Sequence, residues 1–509
     1  MAQNVTRVNL SAMAFPFLSE LSGRGIIVKQ SDQNYVATIT SKEDTDKDIG
    51  IPVLYYCHNV IATGQGYESI DYVTLIGSLP IANFTSVISV IESLTSNKAY
   101  IGITSDGTFY YSVDPFYAWT LIGNIPTLAG KTVYAAYING VTYLYFSGVE
   151  CRKFNFTAHT LDVVTLTGLT PADIVGITSV QGYLVAWSKS ALAWSSLIDP
   201  TDFVPSLATG AGGGSVQGAE GDIVACIPHT IGMVVYTNQN AVAAPTSGNA
   251  RYPFNFRKLV ASGGIASNEL VTYDANTGNH YTYTTSGLQL ITLQQTQTVF
   301  PELTDFLAGA VFEDFDEATN TFSTISLTTT MLKRFKLISD RYLIISYGIL
   351  EFTHVIIYDI SLKRWGKLRH THVDVFEFSL LAAEIVETPR RSIAFADKTG
   401  KVMVVKIDAR NTTANGVVLF GKYQYIRSRM TSLETVTLEN IIPGGTISCS
   451  DFYALDGKNT VEKIGYLLEQ AGMYVKYAFG VVAMNHSLLI KGAFNLVTIT
   501  IATHIHGRR

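Results

Sequence analysis

Two histidine pairs, His370/His372 and His504/His506, are the residues in this 509-residue chain best suited by type and spacing to hold a metal. On a strand, alternate residues share a face, so each pair would offer two imidazoles to one ion. No third ligand accompanies either pair in the sequence, and both are expected to be exposed strand residues. Cys57 and His58 are the adjacent Cys/His pair, and on a strand they point to opposite faces. The four cysteines, Cys57, Cys151, Cys226 and Cys449, lack metal or pairing spacing, which predicts reduced, buried thiols made in a cytosol. No Gly-x-Ser-x-Gly elbow anchors a nucleophile. The acidic cluster Glu313-Asp314-Phe315-Asp316-Glu317 is followed by Thr319-Asn320-Thr321 and reads as a hairpin tip, not a carboxylate pair. No catalytic, cofactor or metal residue is assigned, and a non-enzymatic chain is expected.

Lys363, Arg364, Lys367 and Arg369 around Trp365 form the most basic patch. A run of this kind touches nucleic acid or an acidic partner in some proteins and is more often a solvated edge strand, where charge discourages unwanted sheet pairing. The glycines of Ala208–Gly221 lack the Gly-Lys-Ser/Thr and following helix of a phosphate loop, so this segment is expected to be a flexible loop projecting between blades.

The elements that must position these residues are strands. Val73-Thr-Leu-Ile-Gly77-Ser-Leu-Pro80 returns as Trp119-Thr-Leu-Ile-Gly123-Asn-Ile-Pro126 and as Val164-Thr-Leu-Thr-Gly168-Leu-Thr-Pro171, with the glycines 46 and 45 residues apart. With these phrases recur apolar runs folded about Asp106-Gly107, Asn139-Gly140 and Gln181-Gly182. Asn-Gly and Asp-Gly between β-branched and aromatic runs are strong hairpin signals, because a type I′ turn requires positive φ at both central residues. Several strands per period of about 40 to 50 residues is the mark of a β-propeller. A fainter pattern, an apolar residue then Asp and a polar turn, marks Asp114, Asp199, Asp274, Asp316, Asp359 and Asp397; the last four are spaced 42, 43 and 38 apart. These carboxylates are expected to close hairpin turns before anything else.

Residues 1–20 read as an arm, 21–410 as an all-β propeller of about seven or eight irregular blades, and 411–509 as a further, mainly β domain with a short helix over Val461–Gln470. Charged residues make up only 15% of the chain, against about a quarter in ordinary soluble domains, so much of the surface is expected to be covered by other subunits. A net charge of −5 gives no general footprint for gripping nucleic acid, and a mildly acidic wall suits a passage through which DNA slides. The first residues lack the basic and apolar regions of a signal peptide, and the uncharged stretch Ile223–Ala250 is broken by Pro228, Gly232 and Thr237–Asn240, so neither export nor membrane insertion is expected.

Ser112-Val-Asp114-Pro to Trp119 resembles the Asp-box turn of sialidase-type propellers but lacks its glycine and has one residue too many. A wider resemblance runs through Ala193-Trp194-Ser195 to Asp199-Pro200-Thr201-Asp202-Phe203, the glycine-rich segment, Gly218–Val224, Asn249–Phe256, Tyr358-Asp359 to Trp365-Gly366 and Gly421–Arg427. These patches, about half the chain, resemble the tail hub, nozzle or stabilisation proteins of short-tailed bacteriophages. The resemblance implies a virion tail protein, assembled in the host cytoplasm, that forms a ring, usually a hexamer, below the portal and its adaptor. It implies contacts with tail fibre or needle proteins and a channel that retains and releases genomic DNA without reading its sequence. A propeller that binds or cleaves glycans as a receptor-binding tail component, and a cellular propeller scaffold, are the alternatives.

Overall fold

Short β-branched and aromatic runs separated by turn dipeptides build nearly all of the chain from antiparallel strands. The computed structural model describes residues 4–9, 26–31, 34–39, 54–79, 83–92, 97–113, 118–249, 252–308, 311–316, 321–326, 332–378, 393–406, 415–420, 430–441, 446–454, 460–483 and 485–505. Outside these lie Asp114, Glu317, the expected strand residues 421–429, His506 and the last three residues.

Seven four-stranded blades are present among the described residues, and the chain is an all-β propeller. Blade one comprises Phe84–Glu92, Asn97–Thr104, Thr108–Val113 and Thr120–Asn124; blade two, Val133–Ile138, Val141–Phe146, Glu150–Asn155 and Thr160–Val164. Blade three comprises Gly176–Val180, Tyr183–Trp187, Ala191–Trp194 and Gly212–Ser215; blade four, Ile223–His229, Gly232–Thr237, Ala241–Pro245 and Arg257–Lys258. Val271–Tyr273, His280–Thr284, Gly287–Ile291 and Thr296–Thr298 form blade five, and Leu332–Ile338, Tyr342–Gly348, Phe352–Asp359 and Arg364–His372 form blade six. Blade seven takes three strands, Asp374–Glu377, Ile393–Ala396 and Val402–Lys406, from late in the chain and its outermost strand, Asp71–Ile76, from before blade one. From blade two onward the first strands of successive blades lie against one another, that of blade seven returns to blade one, and the first strand of blade one meets Val141–Phe146 of blade two, so the ring closes.

Burial follows this arrangement. Second strands such as Gly232–Thr237 and Tyr342–Gly348 are buried along their whole length between neighbouring blades, which is why they read as continuous apolar runs. Outermost strands such as Thr120–Asn124 are largely exposed. Asn139-Gly140 and Gln181-Gly182 both adopt positive φ, 49°/83° and 49°/85°, as type I′ turns between first and second strands. The octapeptide repeat is a true blade period, because its three copies occupy or leave the outermost strands of blades seven, one and two.

Other expectations are corrected. Gly212–Ser215 of the glycine-rich segment is no projecting loop but the fourth strand of blade three, paired with Ala191–Trp194. Gly212 sits so close to the Trp194 indole that a Cβ would lie 3.0 Å from the ring, and Trp194 Nε1 donates to Gly210 O at 3.0 Å. Small residues let the ring lie flat across its own neighbouring strand. Val461–Gln470 is not helical: Thr460–Ile464 and Tyr466–Ala471 are strands joined at Gly465, where a side chain would strike Phe479 and the Cys449 carbonyl.

A β-sandwich stands beside the propeller. One sheet runs Leu54–His58, Gly416–Phe420, Asn485–Gly492, Ile447–Ala454, Thr460–Ile464. The facing sheet runs Asn4–Asn9, Asn495–Ile505, Thr431–Asn440, Tyr474–Ala483, Tyr466–Ala471. Cys57, Val418, Cys449 and Ile490 from the first pack against Val436, Val475, Tyr477 and Ile499 from the second. Residues 54–69, expected in the propeller, therefore belong with the C-terminal strands. Helix Pro301–Ala308 buries Leu303 and Leu307 beside blades five and six, and the hairpin Val311–Asp316/Thr321–Ser326 follows it. No helix among the described residues is long and apolar enough to cross a membrane.

Asp374 ties the closure together. Its Oδ2 accepts the Val87 N–H of blade one at 2.8 Å, and its Oδ1 accepts from Arg334 Nη1 of blade six at 2.9 Å. Arg334, almost wholly buried, also reaches the Glu269 carboxylate ahead of blade five and the Val373 carbonyl. Removing one partner of a buried, hydrogen-bonded ion pair costs about 3–5 kcal/mol because the other charge is left unpaired. Asp374→Ala is expected to lower urea stability by that order; a loss under about 1 kcal/mol would show the network to be incidental.

Candidate functional site

The residue types that carry chemistry fall into three groups, two at junctions between sheets and one spread over hairpin turns. The first joins blades six and seven. His370 and His372 lie on the outermost strand of blade six, but His372 is fully buried and His370 half-buried, which corrects the expectation of exposed strand residues. The cause is blade seven, whose Tyr72 and Phe395 rings lie 4.6 and 4.9 Å from that of His370. His372 Nδ1 donates to the His370 carbonyl oxygen at 2.7 Å, leaving Nε2 to accept from the Ser346 hydroxyl at 2.8 Å. Both nitrogens of His372 are thereby occupied by neutral partners, and His370 Nε2 faces Met403 Sδ at 3.3 Å. His504 instead pairs with Glu434 at 2.9 Å. Among the described residues no group of three or more His, Cys, Asp or Glu is placed to hold a metal ion.

The second junction seats the sandwich on blade six, and it absorbs the basic patch. Lys367 is buried and registers with Val60, extending the blade through Val60–Ala62 and Tyr67–Ser69 into Asn495–Ile505. Arg364 Nη1 donates to the Thr63 carbonyl at 2.7 Å while its guanidinium lies 4.5 Å above the Tyr67 ring. The Arg369 N–H donates to Asn59 Oδ1 at 3.1 Å, and a side chain at Gly366 would collide with the Val60 carbonyl. Trp365 is buried against Tyr358 and Phe300. Only Lys363 and Arg369 of the four basic residues are exposed, and the strand that carries them is paired at Lys367, so the run is not the solvated edge strand expected.

The third group is the recurring aspartates. Asp199, Asp274, Asp359 and Asp397 each accept the N–H two residues on, from Thr201, Asn276, Ser361 and Thr399, at 2.8 to 3.0 Å. They sit in different hairpins of their blades, after the third strand at Asp199 and Asp359, after the first at Asp274 and after the second at Asp397, so their spacing is not a blade period. Asp359 also binds Arg341 through two nitrogens, at 2.7 and 3.0 Å, and these bonds outweigh burial to hold its carboxyl below the usual range. Burial, then the charges of Asp274 and Glu377, raise Asp340, which makes one acidic arc beside the first strands of blades five to seven.

Two further arrangements of catalytic residue types went unnoticed in the sequence because their members are far apart. Ser346–His372 and the Asp451–His486 pair at 2.7 Å are both closed to solvent. Burial raises the Asp451 carboxyl, with His486 and the Ser487 N–H opposing it. All four cysteines are free and buried, and burial pushes Cys57 and Cys151 up to about 12, so the thiolate that reacts is scarce at neutral pH. A different feature is exposed: Ile464, Tyr466, Leu467, Leu468, Met473 and Tyr474 stand in solvent along one side of the sandwich. The expected helix at Val461–Gln470 concealed it.

No family model matches the chain, and no curated protein is similar to it. Among solved structures it is similar to one described as the crystal structure of the WD40 beta propeller domain of Doa1, at 11% identity and a TM-score of 0.39, covering 67% of this chain and 98% of that one. The propeller assignment rests on the blade pairing described above.

Burial lowers His280 and His372 to about 3 and His370 to about 4, against an ordinary value near 6.5. Between those values the unfolded chain binds protons that the folded chain does not, so this stability is intact above about pH 6.5 and lost as pH falls. The urea midpoint is expected to drop between pH 7 and 5, and His280→Asn to flatten that drop; an unchanged slope in the variant would count against His280 as a source.

Proposed function

We propose that this chain is a structural subunit of a short-tailed bacteriophage tail, a hub or nozzle protein that forms a ring below the portal and adaptor and extends the channel through which the genome is held and released. The observation that carries the reading is where the side chains are spent. Histidines, buried cysteines, arginines and most turn aspartates close blades and seat the sandwich, while large apolar side chains stand on the surface of a chain with 15% charged residues. Such a distribution favours geometry and interfaces over turnover. Of the patches that resemble tail hub proteins, those within the described residues lie on the blade three to blade four segment and on the blade six hairpin that seats the sandwich, and Gly421–Arg427 lies outside them. The net charge of −5 is compatible with DNA sliding past without being gripped.

The second reading, a glycan-binding or glycan-cleaving propeller, is favoured by the Asp274, Asp340 and Glu377 arc, where one carboxyl is raised beside others. Electron microscopy and mass photometry of the purified full-length chain, with and without portal and adaptor rings, separate the two. Closed rings with an axial hole wide enough for duplex DNA are expected. A strict monomer that ignores both rings would sink the tail reading, and hydrolysis of a bacterial surface polysaccharide abolished by Asp340→Asn would establish the other.

A further inference from the structure

Resting on the ring-subunit reading, we infer that the open side of the sandwich, Thr460–Tyr474, is where a second copy of this chain docks, through its N-terminal strand Asn4–Asn9. Among the described residues the two edge strands on this side are one continuous piece of chain: Thr460–Ile464 ends one sheet, the chain crosses at Gly465, and Tyr466–Ala471 ends the other. All six residues of Tyr466–Ala471 are exposed. Edges that stay free are usually blunted by lysine, proline or a covering loop. Thr460–Ile464 carries one such lysine, Lys463, but Tyr466–Ala471 carries neither lysine nor proline, and Tyr466 is 74% and Ile464 68% exposed, with Leu467, Leu468, Met473 and Tyr474 beside them.

An edge with unpaired N–H and C=O groups is matched by another strand, and this chain carries one. Asn4–Asn9 lies at the far end of the same sheet and, among the described residues, has a neighbour on one side only, Asn495–Ile505. Both strands are six residues long. The sole charge in one is Arg7 and in the other Glu469. Each of the intervening steps, from Asn4–Asn9 through Asn495–Ile505, Thr431–Asn440 and Tyr474–Ala483 to Tyr466–Ala471, is antiparallel, so the two edge strands run in the same direction. A head-to-tail repeat therefore pairs them in parallel, a heterologous contact that closes by rotation into a ring. The bulge at Leu468 makes the edge irregular, which admits a matching strand and discourages indiscriminate growth. Six half-exposed apolar side chains of about 200 Å² each offer roughly 650 Å², close to the ~800 Å² per partner of a standard interface.

The experiment is light scattering across concentration on the full chain, on the edge variant Tyr466→Lys/Leu467→Lys and on the chain lacking residues 1–9, with circular dichroism to confirm folding. The wild type is expected to assemble, each variant to weaken self-association at least about 100-fold, and an equimolar mixture of the two to stop at a 1:1 dimer, since one open edge and one intact strand remain. Leu468→Glu replaces the double variant if that loses its fold. A monomeric wild type at tens of micromolar, an edge variant that assembles like the wild type, or assembly that survives deletion of residues 1–9 overturns the inference. Closed rings built by the edge variant leave the tail reading standing without it, whereas open chains or dimers made through this edge keep the inference and defeat the ring.

Discussion

A propeller is a row of blades until its last blade is joined to its first, and here that joint depends on backbone pairing between residues more than 300 positions apart. Val402–Lys406 takes Asp71–Ile76 as its fourth strand, and the turn that precedes it reaches across to blade one through Leu79 N–H to Thr399 O at 2.7 Å and Phe84 N–H to Lys398 O at 2.9 Å. Trp119 Nε1 donates to the Gly400 carbonyl from blade one, and Asp374 holds Val87 and Arg334 at the inner end. Hydrophobic burial between blades is non-directional and would tolerate a slipped ring. The hydrogen bonds at this joint specify seven blades in register, at the expense of burying an arginine and a carboxylate that are satisfied by each other, by Glu269 and by the Val87 N–H and Val373 carbonyl.

How much of this could be read in the sequence depends on how local the cause is. The octapeptide repeat was legible because it occupies the same place in three blades, the outermost strand and its exit toward the next. Hairpins at Asn139-Gly140 and Gln181-Gly182 were legible because positive φ at two successive residues strongly selects side chains. The aspartates misled as a repeat for the converse reason: an Asx turn suits any tight hairpin, so the same short pattern closes first, second and third strands alike. Glu, Lys and Leu at 462–469 carry helix propensity, which lost to cross-strand pairing with Ile447–Ala454 and Tyr474–Ala483. The destination of Leu54–Ser69 was not legible at all, because nothing within those residues encodes partners at 367, 417–420 and 495–496.

The histidines and basic residues teach the same point about chemistry. His370 and His372 have metal-pair spacing, yet the strand that carries them is covered by blade seven, both nitrogens of His372 are spent on a carbonyl and a serine, and His370 Nε2 faces the Met403 sulfur. Arg364 and Lys367 have the look of an exposed basic run, yet they lie where two sheets become one. Residue type and spacing define what a site is able to do; the neighbouring element decides whether solvent or substrate can reach it.

Fusing a blade edge to a sandwich edge has a mechanical consequence. A flexible linker would let the two bodies move independently, whereas a sheet that passes from Arg364–His372 through Val60–Ala62 and Tyr67–Ser69 into Asn495–Ile505 fixes their orientation by strand geometry. One side of the sandwich is thereby committed to blade six, and the exposed apolar residues collect on the other. Strand pairing therefore holds the propeller at a set orientation to the sandwich, and the exposed apolar residues keep a fixed place relative to the blades.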